Sequence, residues 1–243
     1  MKAFIGIVAV ALTLAGCTVA PVPQGSVPAP ETTAAPGPAQ AVSARIRAQR
    51  AAKQFVEVVQ TVEPVAEREC SRHLPGANCD FQIVVDDRTG QPPNAFQTLD
   101  KAGRPVIAFT LALIAEVQNE DELAFVMSHE AAHHIAGHIR RQQQNATAGA
   151  AIFGGLAVLT GADTSGIQAA QELGAAVGAR SYSKEFELEA DALGTVIAKR
   201  AGYDPVRGAV FFTRIPDPGN RFLGTHPPNA ARIETVRRVA QGL

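Results

Sequence analysis

The chain has 243 residues with 22 basic and 23 acidic side chains, which gives a formal net charge of −1. It has no Trp, only 2 Tyr and no basic stripe, so nothing in it indicates a nucleic-acid partner. Roughly 200 residues remain once the N-terminal segment is set aside, which is enough for one domain with its own core.

The first 16 residues are typical of a signal peptide, with a charge at Lys2, an apolar run and small residues at its end. The apolar run is too short to span a hydrocarbon core about 30 Å thick. The following Leu14-Ala15-Gly16-Cys17 resembles the lipobox of bacterial lipoproteins, which implies cleavage before Cys17 and its lipidation. An ordinary signal peptide with a nearby Cys is the alternative. Because Thr18 rather than Asp follows the Cys, we expect a periplasmic protein anchored in the outer membrane.

Residues 17–41 are rich in Pro and Ala and predict a tether after the lipidated Cys, so the folded domain should cover 42–243. If Cys17 is acylated, Cys70 and Cys79 remain as a pair, and an oxidising periplasm favours a disulfide between them. Two free thiols or a half-formed metal site are the alternatives.

Apolar residues at three-and-four spacing predict a helix over 43–63, bent or broken at Pro64. A strand is predicted at 81–85, and a turn between two further strands predicts a hairpin over 94–109. More helices are predicted at 110–117, 119–142, 146–160, 164–178, 183–201, 205–213 and 228–241. The apolar segment 146–160 is too short for a membrane span, so we expect a core helix there, with a membrane-contacting flap as the alternative.

The predicted helix 119–142 contains the pattern H-E-x-x-H from His129 to His133. Four-residue spacing turns both imidazoles to one helical face, where they can bind one Zn²⁺. Glu130 can then act as a general base on water whose pKa the zinc lowers. A helix with surface histidines is the alternative. The metzincin arrangement would need Gly at 136 and His at 139, and Ala136 and Ile139 exclude it.

A later predicted helix carries Glu187-Leu188-Glu189-Ala190-Asp191 and can supply a third ligand. Glu187 could ligate the metal while Asp191 accepts a hydrogen bond from a ligand imidazole. Glu185 and Glu189 are rivals by composition, but Glu189 points off that face. A solvated acidic helix face is the alternative.

Several motifs occur together in an order that is specific to one family. They are Asn94-Ala95-Phe96, Asn119 to Leu123, His129 to His133 with His138, Glu187 to Asp191 with Gly194, and Thr225-His226-Pro227 with Arg232-Ile233. Over roughly residues 55 to 240 the chain resembles the gluzincin peptidases that include HtpX, the CAAX prenyl protease, BepA and LoiP. The resemblance implies an α+β, mostly helical domain with a small antiparallel sheet beside the H-E-x-x-H helix. It also implies one Zn²⁺ per chain, held by His129, His133 and Glu187, with Glu130 as general base and Asp191 supporting a ligand.

Two further roles follow from the same resemblance. The strand from Asn94 to Thr98 resembles the family's edge strand, which implies that Asn94, Ala95 and Phe96 bind an extended peptide by strand addition. An ordinary sheet edge is the alternative. His226 resembles a family histidine that stabilises the oxyanion or binds zinc as a gate, and a helix-start residue ahead of Pro227 is its alternative. His134 and His138 are interpreted as supporting residues.

The sequence therefore predicts a zinc endopeptidase that acts on misfolded or unassembled envelope proteins. Its partners should be polypeptide substrates and, through Cys17, a membrane, while its oligomeric state is open. A chaperone or assembly factor of the outer membrane with little proteolysis is the main alternative, and a structural lipoprotein whose histidines bind nothing is another. The intact Glu130 favours the enzyme, because a pure binding module has no need of a base at that position.

Overall fold

The structure is a computed structural model that describes residues 38–217, 219 and 226–243. The predicted signal peptide 1–16, the lipidation site Cys17 and most of the predicted tether 17–41 lie outside the described residues. Residues 38–41, at the end of the range predicted as tether, belong to the first helix.

Within the described ranges the chain forms eight α-helices, one 3₁₀ helix and three strands. The first part contains α1 (Pro38–His73), β1 (Gln82–Asp86), β2 (Ala95–Leu99), β3 (Pro105–Thr110), α2 (Leu111–Glu116) and α3 (Glu120–Ile135). The second contains α4 (His138–Leu159), α5 (Thr164–Arg180), α6 (Ser183–Arg200), α7 (Pro205–Gly208), the 3₁₀ helix Ala209–Thr213 and α8 (Asn229–Gln241). The prediction of an α+β, mostly helical fold is confirmed.

Helix α1 extends beyond the predicted range 43–63 and continues through Pro64, so the predicted break at Pro64 is wrong. A proline removes one hydrogen bond, the one that its own N–H would have donated to the carbonyl four residues earlier. That carbonyl belongs to Gln60, which is exposed, so water can take the missing place. The other side of α1 is held in the core by Val58, Val62 and Ala66, each fully buried.

The sheet is mixed, and the prediction of a purely antiparallel sheet was wrong. Strand β3 lies in the centre, antiparallel to β2, as the predicted hairpin requires, and parallel to β1. β1 ends at Asp86, opposite Thr110, and β2 begins at Ala95, opposite Phe109, so both points lie at one end of the sheet. The linker over residues 87–94 therefore only has to cross the end of β3. Strand β2 then runs antiparallel to β1, and β3 returns in the direction of β1.

The predicted helix 119–142 is two helices, because the chain turns at Gly137. This residue has φ +65°, in the left-handed region that glycine adopts without a steric penalty. Helix α3 ends at Ile135 and α4 starts at His138. The turn brings the first residues of α4 back beside the last turn of α3.

Residues 146–160, expected as a core helix, form the distal part of α4 and are mostly exposed. Helix α4 packs against α5 at close range: a Cβ added at Gly149 would lie 2.1 Å from the carbonyl oxygen of Gly174. The contact with α5 also uses Phe153 and the backbone of Asn145, whereas Leu156 and Leu159 stay exposed. Apolar composition therefore did not mean burial here. Among the described residues no helix is long and apolar enough to cross a membrane.

The main core lies between α1, the sheet, α3 and α6. Its largest fully buried side chains include Phe81, Phe109, Phe125, Leu123, Met127 and Ile197. Helix α3 is thus surrounded on most sides, which fixes the direction of the side chains on its remaining face. Cys70 at the end of α1 forms a disulfide with Cys79, with a Cα–Cα distance of 5.7 Å.

Candidate metal centre

The start of α3 is anchored by polar contacts that all involve Glu122. The side chain of Asn119 accepts a hydrogen bond from the backbone N–H of Glu122 (3.1 Å), as an N-cap should. The Glu122 carboxylate accepts from the backbone N–H of Gln118 (2.8 Å), one residue before the position that a capping box uses. Arg214 donates to both oxygens of this buried carboxylate (2.8 and 2.6 Å). The helix is therefore fixed to the C-terminal part of the domain.

Helix α6 approaches α3 closely because Gly194 lies between them. A Cβ at this position would be 3.0 Å from the Cα and the backbone nitrogen of His129 and 3.2 Å from the carbonyl carbon of Ser128. Only a residue without a side chain allows this approach. The approach places the carboxylates one and two turns earlier on α6 against the imidazoles of α3.

His129, His133 and Glu187 come together at this contact. One ligand-type atom from each lies within 4.8 Å of the others. The two Nε2 atoms are 3.0 Å apart, and the Glu187 carboxylate lies 3.5 Å from Nε2 of His129 and 3.4 Å from Nε2 of His133. Two imidazoles and a carboxylate are a donor set that zinc takes in catalytic sites with an open position.

A buried ion pair supports His129 from behind. Asp191 is fully buried, and its Oδ1 lies 2.9 Å from Nδ1 of His129, so Nδ1–H donates and Nε2 is left facing Glu187. Arg232, from α8, donates to both Asp191 oxygens (2.8 and 2.7 Å) and lies over the Phe212 ring at 3.8 Å from its centroid. The carboxylate is therefore held in one orientation on both sides.

The electrostatics of these groups are set by burial and by their partners. Burial raises the pKa of Glu187, but hydrogen bonds from His129, His133 and His226 outweigh it and hold the pKa well below the usual value. Burial likewise raises the pKa of Asp191, and hydrogen bonds from Arg232 and His129 more than reverse this, so the pKa is lowered. Both carboxylates are ionised at neutral pH and can serve as anionic partners.

The other ring nitrogen of His133 contacts a second histidine. Nδ1 of His133 lies 2.8 Å from Nδ1 of His138, whose Nε2 lies 3.2 Å from the Glu189 carboxylate. Burial, together with the nearby His133, lowers the pKa of His138 to about 4, against the opposing effect of Glu189. Glu189 therefore faces α4 and is no rival of Glu187. His134 points away from the cluster, to the backbone oxygen of Asn78 (3.0 Å).

His226 and the predicted edge strand border the same cleft, which has a volume of about 820 Å³. Nδ1 of His226 lies 3.2 Å from Glu187, and its side chain is half-exposed. Glu130 and the segment Asn94–Phe96 also line the cleft. Asn94 is tied to the sheet, since its backbone N–H donates to Oγ1 of Thr110 (3.0 Å).

The contacts of Arg232 with Asp191 and His129 were not predicted from the spacing of residues in the sequence. It is separated by 41 positions from Asp191 and by 103 from His129, so no helical spacing connects them. The signal that was available is an arginine four residues after the Pro-Pro pair that precedes α8. That placement puts Arg232 within the first turn of α8.

The model of peptidase family M48 matches residues 52–240 of the chain. A putative beta-barrel assembly-enhancing protease of Vibrio cholerae serotype O1 is 35% identical over 129 residues, which cover 50% of this chain and 26% of the relative. The beta-barrel assembly-enhancing protease of Escherichia coli O157:H7 is 30% identical over 151 residues, which cover 53% of this chain and 29% of the relative. The chain thus spans less than a third of the curated relatives that it matches. Since the family model covers the whole region that builds the metal centre, the chain belongs to peptidase family M48.

Proposed function

We propose that the protein is a zinc-dependent endopeptidase. The observation that carries this proposal is the convergence of His129, His133 and Glu187 within 4.8 Å of one another at the floor of an open cleft. The site fits zinc in two respects: the donor set is right, and His129 has an outer carboxylate partner that leaves its Nε2 available. These three residues would hold the ion.

Bound there, zinc would act as a Lewis acid that polarises the scissile carbonyl and makes water more acidic. Glu130 follows His129 directly on α3 and lines the cleft. Its carboxylate takes the proton of the attacking water and passes it to the leaving amine, so that each peptide bond broken yields one new carboxylate and one amine.

His226 acts beside this centre in one of two ways. It stabilises the oxyanion that develops on the substrate carbonyl, or it would serve as a further ligand of a bound metal and so close the site until substrate arrives. Its contact with Glu187 and its position on the cleft wall support both roles. Its exposure also means that it can turn without disturbing the core.

The substrate is an extended polypeptide that adds to the free side of β2. Within the part of the chain that the structure describes, strand β2 pairs with β3 along one side only, and Ala95, Phe96 and Gln97 border the cleft. An added strand would gain backbone hydrogen bonds without regard to its sequence, as is suited to misfolded or unassembled envelope proteins. The relatives are named as beta-barrel assembly-enhancing proteases, which supports a role in the quality control of such proteins. A chaperone or assembly factor with little proteolysis is the second candidate, supported by the same names.

The location follows the N-terminal sequence. A lipid on Cys17 would hold the protein to the periplasmic face of the outer membrane, close to nascent beta-barrel proteins. This proposal depends on the sequence alone.

The test replaces Glu130 by Gln, which keeps the side-chain shape and removes the base. We expect zinc content to remain at one per chain and casein cleavage to fall by about 10²–10⁴-fold. Glu172→Gln, on the exposed face of α5, is the matched control and should cleave as the wild type does. Cleavage by purified Glu130→Gln at the wild-type rate would refute the mechanism, and absence of cleavage by the wild type would favour the chaperone.

A further inference from the structure

The histidine that follows the metal cluster, His138, has two polar partners and no role in the reaction described above. It is 4% exposed, at the first position of α4, where the left-handed Gly137 turns the chain back toward α3. Its ring stacks on Phe186 of α6, with centroids 4.6 Å apart and planes 12° apart. The ring plane is therefore fixed, and each of its nitrogens has one defined neighbour.

The contact between His133 and His138 allows only one direction for its hydrogen bond if His133 is to bind a metal. A neutral imidazole has one N–H donor and one acceptor nitrogen. Nε2 of His133 faces Glu187 and His129, so it must keep its lone pair free, and the proton must then be on Nδ1. Nδ1 of His133 consequently donates, and Nδ1 of His138, 2.8 Å away, accepts.

The same constraint carries over to the far side of His138. With Nδ1 unprotonated, the neutral ring has its proton on Nε2, which faces the Glu189 carboxylate at 3.2 Å. A carboxylate accepts and cannot donate, so Glu189 favours this tautomer of His138 over the other. Arg141 donates to the same carboxylate oxygen (2.6 Å) and keeps it in place. In the opposite tautomer His138 would donate to His133, and the proton of His133 would move to Nε2, where it blocks a metal.

We propose that His138, with Glu189, is a positioning residue that holds His133 in its metal-binding tautomer. The proposal rests on the proposed zinc site and names a second outer partner for it. His129 is held by a carboxylate directly, through Asp191. His133 is held by a carboxylate indirectly, because His138 lies between Nδ1 of His133 and the Glu189 carboxylate.

The first test measures zinc affinity of the full chain by competition with a chromophoric chelator. His138→Phe keeps an aromatic ring on Phe186 and removes the acceptor, and we expect zinc binding to weaken by about 10–100-fold. His138→Asn restores an acceptor oxygen near the position of Nδ1 and should recover most of that loss. His134→Phe, on the neighbouring residue that bonds to Asn78, is the matched control and should bind as the wild type does.

The second measurement reads the tautomer itself and needs no enzymatic activity. In protein labelled with ¹⁵N-histidine, long-range ¹H–¹⁵N spectra distinguish a protonated from an unprotonated ring nitrogen for each of the 6 histidines. His138 should have its proton on Nε2 and His133 on Nδ1 in the zinc-loaded protein. Glu189→Ala, at a half-exposed side chain that should tolerate the change, should raise the population of the other His138 tautomer. Glu189→Gln should raise it too, because the Gln amide can donate to an unprotonated Nε2 and a carboxylate cannot.

The outcomes separate this inference from the proposed function. If the wild type binds zinc, and folded His138→Phe binds it equally tightly or His138 has its proton on Nδ1, the positioning role is wrong and the zinc site stands. If the wild type itself binds no zinc, the proposed function fails, whatever the tautomer of His138. Should His138→Phe fail to fold, the Glu189→Ala and Glu189→Gln spectra decide the matter alone.

Discussion

Replacing Gly194 by Ala tests whether close contact between α3 and α6 builds the metal centre. The new methyl would lie 3.0 Å from two backbone atoms of His129. Ordinary contact begins at 3.4 Å, so the helices must separate by about 0.4 Å, because backbone atoms cannot rotate away as a side chain can. Glu187 is on α6 and its imidazole partners are on α3, so this displacement separates the ligands themselves.

The structure gives a magnitude for the effect. Metal–ligand distances tolerate deviations of about 0.2 Å, half of the expected displacement, so zinc affinity should fall by about tenfold or more. Overpacking costs about 1–3 kcal/mol of the free energy of unfolding. The higher helix propensity of Ala compared with Gly offsets about 1 kcal/mol of this loss of stability. The net loss of stability should therefore be small beside the loss of zinc binding.

The assay combines zinc competition with chemical denaturation of the metal-free protein. Gly155→Ala in α4 is the matched control, since a Cβ there meets nothing within 4 Å. It should stabilise the protein by about 1 kcal/mol through helix propensity and leave zinc affinity unchanged. The reasoning is refuted if Gly194→Ala binds zinc as tightly as the wild type and is as stable as Gly155→Ala.

Two further substitutions test the supports of the site. Arg232→Met leaves the fully buried Asp191 without its guanidinium partner and should lower the free energy of unfolding, measured in urea, by about 3–5 kcal/mol. Arg237→Met, at an exposed position of the same helix, should lower it by less than about 0.5 kcal/mol. Similar losses for both variants would contradict the buried ion pair. Cys70→Ser with Cys79→Ser opens a loop whose ends are 9 positions apart and should cost about 2–3 kcal/mol, measured by unfolding with and without reductant. A reductant that leaves the wild-type midpoint unchanged would argue against the disulfide.

The helical spacing of the sequence predicted the central geometry well, because the relevant constraint is local. Residues four apart on one helix must share a face, so His129 and His133 could be paired, and Glu187 with Asp191, before any fold was known. That the two pairs would meet depended on the resemblance to a family. The structure shows the local reason, which is the glycine at 194.

Other features could not be predicted because they depend on tertiary contacts. The burial of 146–160 was predicted from its apolar residues, but α4 uses its glycines for contact with α5 and leaves Leu156 and Leu159 exposed. The parallel pairing of β1 follows from the short path between two strand ends, which propensity does not encode. The break at Gly137 is different, since glycine commonly ends helices, but the predicted helix continued through this position to residue 142.

The charges around the two imidazoles lead to a final prediction about pH. Arg232 interacts electrostatically with three carboxylates, those of Glu130, Glu187 and Asp191. Taken together, these four side chains have two net negative charges. A divalent cation neutralises these charges. Without the cation, a proton on His129 neutralises one of them. Burial and Arg232 lower the pKa of His129, but its hydrogen bonds to Asp191 and Glu187 outweigh these effects and raise the pKa to about 9.

The sign of the resulting pH dependence is fixed by that raised pKa. A histidine with a pKa near 9 in the folded state and about 6.5 in the unfolded state stabilises the fold fully below pH 6.5 and progressively less up to pH 9. Chelator-treated protein should therefore lose about 3 kcal/mol of its free energy of unfolding between pH 6 and pH 9. Zinc-loaded protein should lose much less, because coordination requires an unprotonated Nε2 on His129 at every pH. Urea denaturation at both pH values, with chelator and with zinc, measures the difference, and equal pH dependence in the two states would mean that His129 does not take the place of the ion.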